Sequence, residues 1–113
     1  MAETVFGKII DKELPADIVY EDDLCLAFRD IRPQAPVHVL LIPKKPLAML
    51  SDAAGEDQAL LGHLMLTVNA IARQLKIERA FRVVINNGAG SGQSVFHVHI
   101  HILAGRPFRW PPG

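Results

Sequence analysis

The apolar positions of this chain change period along its length. Between about residues 55 and 76, Leu61, Leu64, Val68, Ile71 and Leu75 recur at steps of three and four, which lays one apolar stripe along a helix. Leu60, Met65, Leu66 and Ala72 widen that stripe beyond what one sheet face requires, so a second helix or a partner subunit has to cover the excess. Elsewhere the runs are short, and alternating or continuous, and the pattern predicts strands over about 18–20, 24–29, 37–42, 81–86 and 95–103. The acidic turn Glu21-Asp22-Asp23 joins the first two. Pro33 and Pro36 make 30–36 a loop, because proline donates nothing to a ladder, and Pro43 and Pro46 end the third strand. Thr4 is placed to cap a short helix running to about Lys12, which Pro15 prevents from continuing. Strand and helix do not alternate regularly. The pattern therefore predicts an α+β fold, with a five-stranded antiparallel sheet, one long helix and one short helix in a single domain over 1–113.

The last predicted strand carries the chemistry. In His97-Val98-His99-Ile100-His101-Ile102-Leu103, period two sets His97, His99 and His101 on one face and Val98, Ile100 and Ile102 on the other. Three groups that exchange protons near neutrality then stand side by side, which suits metal ligation or nucleophilic and acid–base work. At roughly 3.3 Å per residue His97 and His101 are anchored about 13 Å apart, so three such imidazoles do not easily share one zinc ion. A fourth ligand would also be needed, and Cys25 is the only cysteine. No metal and no cofactor are expected. A catalytic row has the opposite requirement: the middle imidazole attacks while its neighbours handle flanking atoms of an extended, charged substrate.

Upstream, Asn86-Asn87-Gly88-Ala89-Gly90-Ser91-Gly92-Gln93-Ser94 places three glycines in five residues. Its spacing matches neither the dinucleotide fingerprint nor the Walker loop, and a strand rather than a helix follows. On its own this is a hairpin connection. Directly before three histidines, with Gln93 and Ser94 as donors, it becomes an oxyanion site, and the oxyanion that fits best is phosphate. Other candidates have ordinary readings. His38 on a strand is a structural histidine, His63 lies off the helix stripe and is surface, and Asp30 caps a turn. Lys44-Lys45 is a solvated turn, while Phe6, Ile9, Leu14, Phe28 and Leu40 are core.

Composition narrows the field. Twelve basic and twelve acidic residues balance in a chain of 113, with a pI near 7.0, so no long-range pull draws it to nucleic acid or an anionic membrane. One cysteine excludes an internal disulfide and suits a reducing compartment. The start Met1-Ala2-Glu3-Thr4 has no apolar stretch of a secretory signal, and no apolar run approaches a membrane span. The expectation is a soluble cytoplasmic protein, and a domain this small gains from pairing with a second copy.

The segment Gly92-Gln93-Ser94-Val95-Phe96-His97-Val98-His99-Ile100-His101-Ile102-Leu103 resembles the signature of the histidine triad superfamily. Tyr20-Glu21-Asp22-Asp23, Leu26-Ala27-Phe28, Asp30-Ile31, Pro33-Gln34-Ala35-Pro36, His38, Ile42-Pro43-Lys44-Lys45, Leu61-Gly62-His63-Leu64-Met65 and Trp110-Pro111-Pro112-Gly113 are similar to its purine nucleoside phosphoramidase branch. The resemblance implies hydrolysis of the P–N bond of a purine nucleoside 5′-phosphoramidate through a nucleotidyl-histidine. A dinucleoside polyphosphate substrate, or a regulatory module that binds nucleotides or partners with little turnover, remains the alternative. It implies His99 as nucleophile, with His97 and His38 orienting it and His101 and Ser94 acting at the phosphate. Val5, Phe6, Ile9, Leu14, Phe28, Ile31 and Leu40 would hold the base and Asp30 the ribose. Asn86, Gly92, Gln93 and Ser94 would complete the nucleotide site. Some relatives carry histidine where this chain has Pro46, which cannot ligate, so the resemblance lowers the zinc reading further. It also implies a homodimer whose sheets join, with each tail reaching towards the partner's site.

Overall fold

The computed structural model describes residues 4–113; residues 1–3, on which most of the expectation about a leader rests, lie outside the described residues. Helix α1 (Val5–Ile10) is followed by β1 (Ile18–Glu21), β2 (Cys25–Arg29) and β3 (Val37–Pro43). A single turn of 3-10 helix (Gly55–Asp57) leads into α2 (Gln58–Gln74), and β4 (Arg82–Val84) and β5 (Ile100–Ala104) follow. The five strands form one antiparallel sheet in the order β1-β2-β3-β5-β4. This is the α+β architecture the apolar pattern predicts. Among the described residues no helix is long and apolar enough to cross a membrane.

Each helix covers one face of the sheet, and strand alternation sorts the core in two. Cys25, Ala27, Val39, Leu41, Ile100 and Ile102 face Leu64, Val68 and Ile71 of α2. Their neighbours in sequence, Leu26, Phe28, Leu40 and Ile42, face Phe6 and Ile9 of α1. The short α1 starts where Thr4 Oγ1 accepts the N–H of Gly7 at 3.0 Å, filling one of the bonds a helix start leaves open. Leu66 and Met65 on α2 remain 70% and 44% exposed, so part of the widened stripe has no cover within this chain, whereas Ala72 is buried.

Three expectations need correction. The fifth strand begins at Ile100, not at 95, because its neighbour β3 ends in Pro43, which has no N–H for a ladder. The segment before it is held instead by loop carbonyls, with the Val98 N–H bonded to Leu47 O at 2.7 Å. Lys44 and Lys45 are not simply solvated: Lys44 pairs with Glu21 at 2.8 Å, and Lys45 with the buried Asp57 at 2.5 Å. His63 is half-buried and bonded to Asp22 at 2.7 Å. After β5, Gly105 turns the chain at φ +97°, where a Cβ would lie 2.8 Å from Pro36.

Candidate active site

The register of β3 on β5 sets Leu40 opposite His101 and His38 opposite Leu103, so His38 and His101 share the α1 face of the sheet. His99, in the irregular segment just before β5, lies on the same side. Its ring stands edge-on to Phe6 of α1, with centroids 4.9 Å apart, and 5.0 Å from the ring of His101. His97 lies further from Phe6, with centroids 6.5 Å apart. The three triad rings thus share one face, although only His101 belongs to the strand.

Hydrogen-bond partners assign the protons. Carbonyls only accept, so His99 carries its proton on Nδ1, donating to His97 O at 2.8 Å, and His97 carries its own on Nε2, donating to Pro43 O at 2.7 Å. The N–H of Gln34 donates to His38 Nδ1 at 3.0 Å, which places the His38 proton on Nε2. From there it is donated to His101 Nδ1 at 2.9 Å, leaving His101 an N–H at Nε2. Asp30 Oδ2 lies 3.5 Å from the same His38 nitrogen. Two consequences follow for a ligand. His99 has a free lone pair at Nε2, and His101 has a free donor.

Burial also favours the neutral form of His38, His97 and His101. It pulls His101 down to about 4, assisted by His99 and His38 and opposed by Asp30. His97 is held below its ordinary value by burial, against the Pro43 carbonyl that favours its charged form. His38 is lowered by burial too, against Asp30.

His99 and His101 open onto a cleft of about 740 Å³ lined mostly by apolar side chains. Val5, Phe6, Ile9, Leu14, Phe28, Ile31 and Leu40 form its wall, with Asp17, Arg29, Asp30, Arg32, Ser94, His99 and His101 as polar members. Such a slot, apolar with a few convergent polar groups, has the form of a small-molecule site. Ile31, 91% exposed, stands at its rim. Of the residues expected from sequence, Asn86, Gly92, Gln93, His97 and His38 do not line the cleft. His38 and the His97 carbonyl are joined to its rings by hydrogen bonds, and Gly92 turns the loop at φ +106°, where a Cβ would lie 3.9 Å from Asn86 Nδ2.

Gln93 is a correction. Its side chain is buried, donating to Ala48 O at 2.7 Å and Val95 O at 3.0 Å while accepting from the Gly88 N–H at 2.7 Å. Every polar atom of the amide has an internal partner, so Gln93 holds the glycine loop in place and offers no side-chain donor to a phosphate. Sequence reading missed Gln34, whose backbone sets the His38 tautomer, and Arg106, whose Nε donates to Gln34 O at 2.9 Å. No local pattern marks either, since both act across the fold.

Potential metal ligands converge in two places among the described residues. Asp30, His38 and His101 bring donor atoms within 4.8 Å of one another, and so do Asp22, Cys25 and His63. Neither group is the histidine row itself. The first is already tied by the His38–His101 hydrogen bond and serves the cleft.

An antiparallel sheet with a helix on each face sets imidazoles beside an apolar slot, an arrangement suited to nucleophilic or acid–base chemistry. The HIT domain model matches residues 11–108, and the chain belongs to the HIT family. It is 68% identical over 114 residues to an uncharacterised HIT-like protein of Synechocystis sp., covering all of both chains. The fold is similar to that of a HIT family hydrolase from Legionella pneumophila Philadelphia 1, with TM-score 0.94 and 44% identity over 96% of this chain and 98% of that one. It is also similar to a histidine triad nucleotide-binding protein from Candida albicans, with TM-score 0.83 and 30% identity over 96% and 83%.

Proposed function

We propose that this protein is a nucleotide-binding hydrolase that cleaves the P–N bond of purine nucleoside 5′-phosphoramidates. The observation that carries the reading is the His99 ring, held by its Nδ1–H on the His97 carbonyl with the Nε2 lone pair left to a ligand in the cleft. The base lies in the slot between α1 and the sheet, the ribose hydroxyls donate to Asp30, and the α-phosphate stands over His99 and His101. His99 Nε2 attacks phosphorus, the P–N bond breaks, and the amine departs with a proton taken from solvent water, steered by the Ser94 hydroxyl. His101 Nε2–H donates to the phosphate oxygens as their charge grows. Water then attacks phosphorus, releasing the nucleoside monophosphate and restoring neutral His99. Dividing one displacement into two is the gain of covalent catalysis. The HIT family hydrolase and the nucleotide-binding relative support this class of activity.

The test is His99→Ala assayed on adenosine 5′-phosphoramidate. Turnover should fall below about a hundredth of wild type while nucleotide binding survives, and acid quench of wild type should trap a nucleotidyl adduct on His99. Greater residual turnover removes His99 as nucleophile. A binding module without turnover would show neither hydrolysis nor adduct.

Two further readings belong here. The exposed Leu66 and Met65, and the 82% exposed Trp110, support a homodimer that covers α2 and engages the tails. Cys25, a free buried thiol, suits residence in the reducing cytoplasm.

A further inference from the structure

The segment that carries the nucleophile has no ladder of its own. Residues 92–99, with Ser94, His97 and His99, belong to no strand, and β5 begins only at Ile100. They rest instead on the end of β3 and the connection that follows it. Pro43 O accepts His97 Nε2–H, Leu47 O accepts the Val98 N–H and Ala48 O accepts the Gln93 amide, each at 2.7 Å. Further along, the Ser51 N–H donates to Asn87 Oδ1 at 2.8 Å, at the start of the glycine loop. His99 is fixed in turn by His97 O, so its ring takes its position from residues 43–51.

Pro43 is held by the sheet, opposite Cys25 of β2, and the Lys44 N–H reaches Leu24 O at 2.8 Å. Beyond them, Lys45 ties the connection to the start of α2. Its Nζ meets Asp57 Oδ1 at 2.5 Å, and Asp57 is only 3% exposed. Asp57 directly precedes α2, where a carboxylate ordinarily caps the helix, yet its side chain makes no capping bond. The other oxygen accepts the Ala54 N–H at 2.9 Å, so both oxygens serve the connection rather than the helix. The adjacent Lys44 pairs with Glu21, which is exposed and has a second partner in Lys12. Of these two neighbouring lysines, Lys45 is the one that neutralises a buried charge.

We infer that Lys45 and Asp57 are positioning residues for the nucleophile, holding the 43–51 connection on which His97 and His99 rest. The kinetic side of this role rests on the proposed reaction, and its mark on the imidazole rings does not. Without the cation, Asp57 is charged and unpaired away from water, which the fold relieves by protonation or by opening. Either outcome frees the chain around Leu47 and Ala48, and the ring whose Nε2 faces phosphorus moves with it. A misplacement of about 1 Å costs roughly a hundredfold where attack geometry matters. The contacts to base and ribose, made by α1, β2 and Asp30, do not pass through this connection. The loss therefore falls on kcat and not on KM.

Lys45→Met, Lys44→Met and Asp57→Asn, compared with wild type on adenosine 5′-phosphoramidate, test this, with urea unfolding giving the folded fraction of each. Lys45→Met and Asp57→Asn should each lower kcat at least about tenfold with KM within about threefold. Lys44→Met makes the same change of net charge and should keep both constants within about threefold. By NMR, the His99 Nδ1–H and His97 Nε2–H resonances, protected from exchange by their carbonyls, should be present in wild type and Lys44→Met. They should shift or vanish in Lys45→Met. A pair that merely stabilises the fold would lower the unfolding midpoint and leave kcat per folded chain and the ring resonances as in wild type, which overturns the inference. An equal loss in Lys44→Met, or ring resonances missing from wild type, overturns it too. Asp57→Asn keeps the shape and leaves no buried charge, so it decides alone if Lys45→Met fails to fold. If wild type hydrolyses no phosphoramidate, the proposed function falls, and the ring resonances still decide whether Lys45 positions His99.

Discussion

Replacing His101 with glutamine should flatten the acid sensitivity of the fold. His101 titrates near 4 in the folded protein against an ordinary value of 6.5, chiefly because burial disfavours its charged form. As pH falls through 6.5, the unfolded chain takes a proton on this residue while the folded one does not. Stability from this source is therefore whole above about pH 6.5, declines as pH falls towards about 4, and is level below that. Between about pH 6.5 and 5 the change is 1.5 units, or about 2 kcal/mol at about 1.4 kcal/mol per unit. The ring is partly exposed, and solvent screening reduces this to about 1 kcal/mol. For a domain of this size that is about 4–8 °C in Tm. Glutamine has no such titration, and its amide oxygen still accepts the His38 Nε2–H. Urea unfolding of both proteins at about pH 7.5 and pH 5, at one fixed chain concentration, isolates the difference, since His38 and His97 are common to both. Wild type should lose about 1 kcal/mol more than His101→Gln on acidification. Equal losses would show that His101 takes its proton as readily in the fold as in the unfolded chain, and would refute the burial argument.

Hydrolysis should survive prolonged chelation, because the triad rings do not converge on an ion and the Asp22–Cys25–His63 cluster lies on the other sheet face; activity lost to chelator and restored by zinc would reverse this. Asp30→Ala should weaken ribonucleotides far more than analogues lacking ribose hydroxyls, as only the former have donors to lose. Titration calorimetry giving equal losses would make Asp30 a turn residue, in keeping with its bond to the Arg32 N–H at 2.8 Å. Light scattering at micromolar concentration should give twice the 12.4 kDa chain mass, and deleting residues 110–113 should change leaving-amine preference more than nucleotide affinity. A monomer, or a deletion without effect on amine preference, would remove the tail from the site.

The sequence by itself determined the elements and their faces. Period two marked Val98, Ile100 and Ile102 as core and the histidines as the other face, although only His101 proves to lie on the strand, and period 3.6 marked which side of α2 meets the sheet. Proline positions decided where β3 stops, and Thr4 where α1 starts. These are local signals, carried by backbone geometry that repeats every few residues. Which residues meet across the fold is a different matter. His38 and His101 are 63 positions apart, and His63 and Asp22 are 41, and no periodicity encodes such pairings. The start of β5 depended on its neighbour ending in Pro43. Gln93, an apparent phosphate donor in the chain, became an internal brace because a buried amide must satisfy its donors, and Ala48 and Val95 offered carbonyls. Only the tertiary structure could decide these pairings. A side chain's chemistry is set by its type, but its protonation and its partner are set by whatever the folded chain brings within about 3 Å of it.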